Sequence, residues 1–123
     1  MHEDILIDAW EHKEGPIILS TVDTKGMPNS MYATCTRMSE DGKIVIADNY
    51  FHKTRDNIGK GSYATVLFMT TDGRSFQAKG TLSLEHEGPY VTFMKSWNPT
   101  KHPGRAAAVM TIIEVYSGAE RLV

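Results

Sequence analysis

The chain is 123 residues long, 41% hydrophobic and 23% charged, with a formal net charge of −2. That length suits one domain, 1–123, with a core large enough to fold alone, and the composition excludes a disordered chain. No block of like charges occurs, so generic nucleic-acid or anionic-membrane binding has no basic stripe to work with.

The start, Met1-His2-Glu3-Asp4, is acidic and lacks the basic opening and apolar stretch of a signal peptide. Residues 4–13 place Ile5, Leu6, Ala9 and Trp10 at i, i+1, i+4 and i+5, which predicts a short amphipathic helix ended by Gly15-Pro16. Ile17–Val22 is β-rich and stops at the turn Asp23-Thr24-Lys25-Gly26. Residues 29–38 alternate as one strand: Met31, Ala33, Cys35 and Arg37 point one way, Tyr32, Thr34, Thr36 and Met38 the other. Neither face is purely polar, as in a barrel wall covered on both sides. Cys35 is the only cysteine and reads as a small hydrophobe in that strand. With no disulfide possible within the chain, a reducing cytoplasmic compartment is expected. Glu40-Asp41-Gly42 is a hairpin turn into Lys43–Asp48.

The next stretch, "DNYFHKTRDNIGKGS" (48–62), leaves a buried strand and becomes polar, basic and amide-rich at once. A short helix is predicted over about 53–59, ending at Gly59 or Gly61. Lys53 brings a mobile charge to its start and Thr54 a hydroxyl, next to free backbone N–H groups and the positive end of the helix dipole. These residues alone leave two readings open: a phosphate site, or a solvated helix start with Thr54 as its cap.

Tyr63–Thr70 and 74–85 form a second hairpin around Thr71-Asp72-Gly73. Gly88-Pro89 starts a helix to Trp97, with Tyr90, Phe93, Met94 and Trp97 at core spacing. Residues 98–104 carry two prolines and form a loop, 106–116 are the last strand, and 117–123 a tail. Six strands in hairpins predict a mainly antiparallel, barrel-like α+β domain and disfavour a doubly wound sheet.

Several chemistries drop out. "GKGS" (59–62) lacks the Gly that a Walker loop needs at position 54, which is Thr, and precedes a strand. There is no GxGxxG and no GxSxG. His2, His12, His52, His86 and His102 never fall at metal-ligand spacings.

Taken in order, Gly15–Val22, Pro28–Met38, "IVIADNYFHKTRDNIGKG", "RSFQAKG" and, more loosely, "GRAAAVMTIIEVYSGAERLV" resemble the FMN-binding split-barrel family, also called pyridoxamine 5'-phosphate oxidase-like. In length and layout the chain is most similar to the small stand-alone bacterial FMN-binding members. The resemblance implies a homodimer of six-stranded split β-barrels with short helices and FMN at each end of the subunit interface. It implies a phosphate held by Lys53 and Thr54, next to His52; Asn57, about one turn after Thr54, reads either as a further phosphate or ribityl partner or as a surface amide. Ala47, Asp48 and Asn49 would follow the isoalloxazine edge, and Tyr32, Ala33 and Thr34 would lie beside the ring and ribityl chain. From the second subunit, Ser75 and Gln77 of the segment 74–77 would reach the flavin, and Leu122 of the tail would shield it.

The pyridoxamine phosphate oxidases themselves are longer, carry an arginine where this chain has Met31, and end in a tail containing tryptophan and arginine. Electron transfer or small-molecule oxidoreduction through FMN is therefore expected. The alternatives are a split-barrel module for a deazaflavin or haem, or a pyridoxamine phosphate oxidase-like enzyme. Candidate acid–base groups of an enzyme are His52, Tyr32 and Lys101.

Overall fold

The computed structural model describes residues 2–123, with side chains from residue 5 onward. α1 (His2–Glu11) leads into β1 (Lys13–Val22), beside which β2 (Pro28–Ala33) returns antiparallel. β3 (Thr36–Met38) and β4 (Ile44–Asp48) make the next hairpin, and α2 (Lys53–Gly59) crosses to the hairpin of β5 (Tyr63–Thr70) and β6 (Ser75–Glu85). α3 (Pro89–Trp97), β7 (Ala106–Ser117) and β8 (Glu120–Arg121) complete the chain. Every pairing is antiparallel, and the sheet runs β2-β1-β5-β6-β7-β4-β3, with β8 on β7. The two ends of that path, β2 and β3, are separated in the chain only by Thr34 and Cys35. The sheet therefore curls until its edges approach at this junction, which is the architecture of a split barrel.

The six expected strands are eight. Residues 29–38 are two strands because their halves have different partners: β2 bonds to β1, and β3 to β4. The side-chain alternation slips by one residue at the break, so Met31 and Ala33 face the core and so do Thr36 and Met38. The tail supplies the other extra strand, pairing Arg121 with Tyr116. β1 also starts earlier than expected, at Lys13, and runs through Gly15-Pro16. A register shift between Glu14 and Ile18 accommodates the proline, which cannot donate to a regular ladder.

Ile17 and Leu19 of β1, Val66 and Phe68 of β5, and Phe76 and Ala78 of β6 point into the barrel, and α1 adds Leu6, Ala9 and Trp10. Each large side chain so buried contributes about 1.5–3 kcal/mol. All of β4 and residues 106–110 of β7 are buried, because this part of the sheet is covered on both faces. Its outer side packs under α3, where Val45, Ala47, Ala107 and Val109 meet Met94, with Tyr90, Phe93 and Trp97 around them. Among the described residues no helix is long and apolar enough to cross a membrane.

Candidate functional site

A cleft of about 260 Å³ opens where the barrel splits. One wall is the β2–β3 junction, Met31 to Cys35. The other is the exit of β4: Ala47, Asn49, Tyr50 and Phe51. His102, from the loop between α3 and β7, closes one end.

The exit is shaped by Asp48, whose side chain is only 1% exposed. Its carboxylate accepts the Phe51 N–H (3.0 Å) and two hydrogen bonds from the Arg55 guanidinium (2.8 and 2.9 Å). These bonds raise the Arg55 pKa above its ordinary value. An aspartate that caps its own chain three residues on is a turn former, and here it ends β4 and aims the backbone at α2. Next to it, Asn49 and Asn98 exchange amide hydrogen bonds in both directions (3.0 and 2.9 Å), and the Gly104 N–H donates to Asn49 Oδ1 (3.0 Å). The 98–104 loop is thus tied to the strand exit. Gly104 has φ +53°, and a Cβ there would stand 3.1 Å from Asn98 Nδ2, so glycine suits both the backbone and the space.

α2 carries the predicted basic cluster. His52 occupies the cap position and makes no side-chain cap, so Thr54 is not the cap that one of the two readings made it. Thr54 lies inside the first turn and is buried. Its hydroxyl accepts from Asn29 Nδ2 (3.1 Å) and faces Met31 Sδ at 3.3 Å. Asn57, also buried, donates to Thr21 Oγ1 (3.0 Å). These two links tie α2 to β2 and β1. His52 and Lys53 are exposed, and among the described residues neither has a side-chain hydrogen-bond or ion-pair partner.

Of the residues singled out from the sequence, Tyr32, Ala33, Thr34, Ala47 and Asn49 are brought together in the cleft. Asp48 supports its wall, and His52, Lys53, Thr54 and Asn57 belong to the adjoining α2 segment. Ser75 and Gln77 do not meet them within the chain. They lie on the outer face of β6, Ser75 opposite Met69 and Gln77 in the row Tyr32–Ile18–Leu67–Gln77, which puts Gln77 three strand spacings, about 14 Å, from Tyr32. Leu122 packs against the core of its own chain, its N–H donating to the Val115 carbonyl (2.7 Å). Met31, Cys35, Tyr50, Phe51 and His102 were missed as cleft residues. Tyr50 and Phe51 were within reach, flanked by Asn49 and His52. His102 carries no local signal beyond the prolines on either side of its loop.

The family described as pyridoxamine 5'-phosphate oxidase matches residues 6–117. The uncharacterized protein MJ0282 of Methanocaldococcus jannaschii is 29% identical over 107 residues, covering 82% of this chain and 71% of that protein. An FMN-binding protein from Syntrophomonas wolfei superposes with a TM-score of 0.80 at 23% identity, over 95% of this chain and 88% of the other. The fold is shared at 12% identity by an F420 reductase (TM-score 0.68, 89% and 94% of the two chains). It is shared equally by a haem-binding protein from Mycobacterium smegmatis (TM-score 0.67, 12% identity, 89% and 50%). The match over nearly the whole chain, on a sheet that splits between β2 and β3, makes this chain a member of the pyridoxamine 5'-phosphate oxidase family.

Proposed function

We propose that the chain is a flavoprotein that binds FMN non-covalently in this cleft, at the interface of a homodimer, and serves electron transfer or small-molecule oxidoreduction. The observation that carries this is the make-up of the cleft. Met31, Ala33 and Phe51 give it apolar sides, Asn49 and Thr34 add polar groups, and among the described residues no carboxylate lines it. An isoalloxazine needs such a flat apolar wall with a few amide-like partners at one end. The backbone at 47–49 would serve its pyrimidine edge, and Lys53, with no carboxylate partner among the described residues, would hold the phosphate. Thr54 and Asn57, engaged with Asn29 and Thr21, would act by orienting α2. When bound, the flavin supplies the redox chemistry, so no side chain has to act as nucleophile. The lone cysteine fits a cytoplasmic setting.

The second subunit would cover the outer face of β1, β5, β6 and β7. A groove of about 400 Å³ runs there between Val22, Pro28, Tyr63, Lys79 and Ile113. Tyr63 is 70% and Ile113 50% exposed, and apolar groups displayed this way mark an interaction surface. Gln77 shares that face with Tyr32, so a partner docked on it could bring its own Gln77 and Ser75 toward the cleft.

The purified protein is expected to be yellow, to release FMN rather than FAD on denaturation, and to scatter light as a dimer. FAD, or no flavin after reconstitution, refutes the cofactor; a flavin-loaded species of 13.7 kDa refutes the dimer. The same spectrum separates the rivals, since haem shows a Soret band and a deazaflavin lacks the long-wavelength flavin band. Lys53→Ala is expected to weaken FMN binding by roughly tenfold to a hundredfold, the loss of a charge-assisted hydrogen bond worth about 1.5–3 kcal/mol, with the fold intact. Unchanged affinity in a fluorescence-quenching titration would place the phosphate elsewhere.

A further inference from the structure

We propose that His102 is the proton-exchanging group of the cleft, binding one proton as electrons enter there, and that Tyr50, Asn49 and Asn98 are its positioning residues. This rests on the cleft being the flavin site. Four side chains that line the cleft can titrate: Tyr32, Cys35, Tyr50 and His102. Phenols and thiols give up protons in the alkaline range, whereas imidazole is the side chain that exchanges them near neutral pH. With no carboxylate and no lysine in the lining among the described residues, His102 is the group available for that task.

The ring is held in a way that suits a change of charge. Tyr50 Oη lies 3.1 Å from His102 Nδ1, and the two rings meet edge to face with centroids 5.5 Å apart. A phenol can serve both states of the imidazole. It donates to Nδ1 of the neutral ring, and it accepts from Nδ1–H of the protonated one. The hydrogen bond therefore persists when the proton arrives, and only the hydroxyl rotates. The loop under the ring is fixed as well. The His102 N–H donates to the Pro99 carbonyl (3.0 Å), and the two-way Asn49–Asn98 bond, nine-tenths or more buried on both sides, fastens the loop to the cleft wall.

The charged and titratable neighbours are Tyr50 from the β4 exit, Tyr32 and Cys35 from the strand junction, and Lys95 from α3. Lys95 shares with His102 a second cavity of about 190 Å³ on the far side of the loop. Lys101 and Arg105 belong to the same loop and are exposed. Among the described residues no carboxylate lines either cavity. A negative charge brought into the cleft favours the charged form of a nearby imidazole. The balance is simple. Two electrons from an external reductant (dithionite in the test) are matched by two protons from water. His102 binds one and the flavin the other, leaving the net charge of the site unchanged.

The midpoint potential of the FMN-loaded chain, measured against pH from about 5.5 to 8.5, reports protons taken up per two electrons. Two are expected in the wild type over part of that range, and one in His102→Gln. Wild-type FMN affinity with an unchanged proton count in His102→Gln overturns the proposal. Tyr50→Phe provides a test that does not rely on that variant folding: the imidazole of His102, followed by NMR in the flavin-free chain, is expected to shift its titration midpoint. An unmoved midpoint removes Tyr50 from the device. If the wild-type chain binds no FMN at all, the flavin reading of the cleft fails and this proposal with it. Binding with an unchanged count defeats this proposal alone.

Discussion

Alanine at position 80 is expected to destabilise the fold by about 3 kcal/mol or more. Gly80 lies in β6 where the register with β7 shifts, opposite Ile112. A Cβ built there falls 1.9 Å from the Thr111 carbonyl oxygen and 2.9 Å from its carbon. Both atoms are backbone, so no rotamer change relieves the overlap and the strands must part. Overpacking in a core usually costs about 1–3 kcal/mol, and a clash with main chain belongs at or beyond the top of that range. The β6–β7 ladder extends from Gln77–Tyr116 to Glu85–Ala107, so separation at its middle disturbs the longest pairing in the sheet. Urea denaturation of Gly80→Ala measures the effect. An unfolding free energy that changes by less than about 0.5 kcal/mol, the scale of ordinary surface substitutions, would show that the bulge yields easily.

Arg55→Ala is expected to cost about 3 kcal/mol. It leaves the Asp48 carboxylate, 1% exposed, with only the Phe51 N–H as a hydrogen-bond donor. Removing one partner of a buried ion pair costs about 3–5 kcal/mol, because the remaining charge stays desolvated. Here the lower end applies, since Arg55 is 37% exposed and water can partly replace it. The loss should extend to ligand binding, because Asp48 ends β4 and its carbonyl accepts the Arg105 N–H (2.9 Å) at the return of the 98–104 loop. Asp48→Asn in the Arg55→Ala background removes the stranded charge and should recover part of the stability. A double-mutant cycle in urea checks this; additive losses would mean that the pair is not coupled.

The strands and helices were legible from local pattern. Alternation in Tyr63–Thr70, the Asp-Gly turns at 41–42 and 72–73, and the apolar spacing of α3 are properties of neighbouring residues, which local sterics and solvent decide. The short helix at Lys53–Gly59 was legible for the same reason, though the pattern allowed its end at either Gly59 or Gly61. The break inside residues 29–38 was not legible. Nothing in "NSMYATCTRM" says that its first half will bond to β1 and its second to β4, for that choice depends on where the sheet closes.

The site divides along the same line. Ala47, Asn49 and the basic start of α2 are contiguous in sequence, and the exit from an apolar strand into polar residues marks them. Thr54 and Asn57 are also contiguous with that cluster, yet their hydroxyl and amide turn inward to Asn29 and Thr21, a direction set by how α2 packs on the sheet. His102 reaches Tyr50 across 52 positions of sequence, through a loop that the Asn49–Asn98 pair fastens down. The sequence by itself determined the helices, most of the strands, the hairpin order and the basic segment at the cleft's edge, because these rest on short-range periodicity and turn chemistry. Only the tertiary structure decided which side chains share the cleft, because long-range hydrogen bonds and the closure of the sheet bring them together.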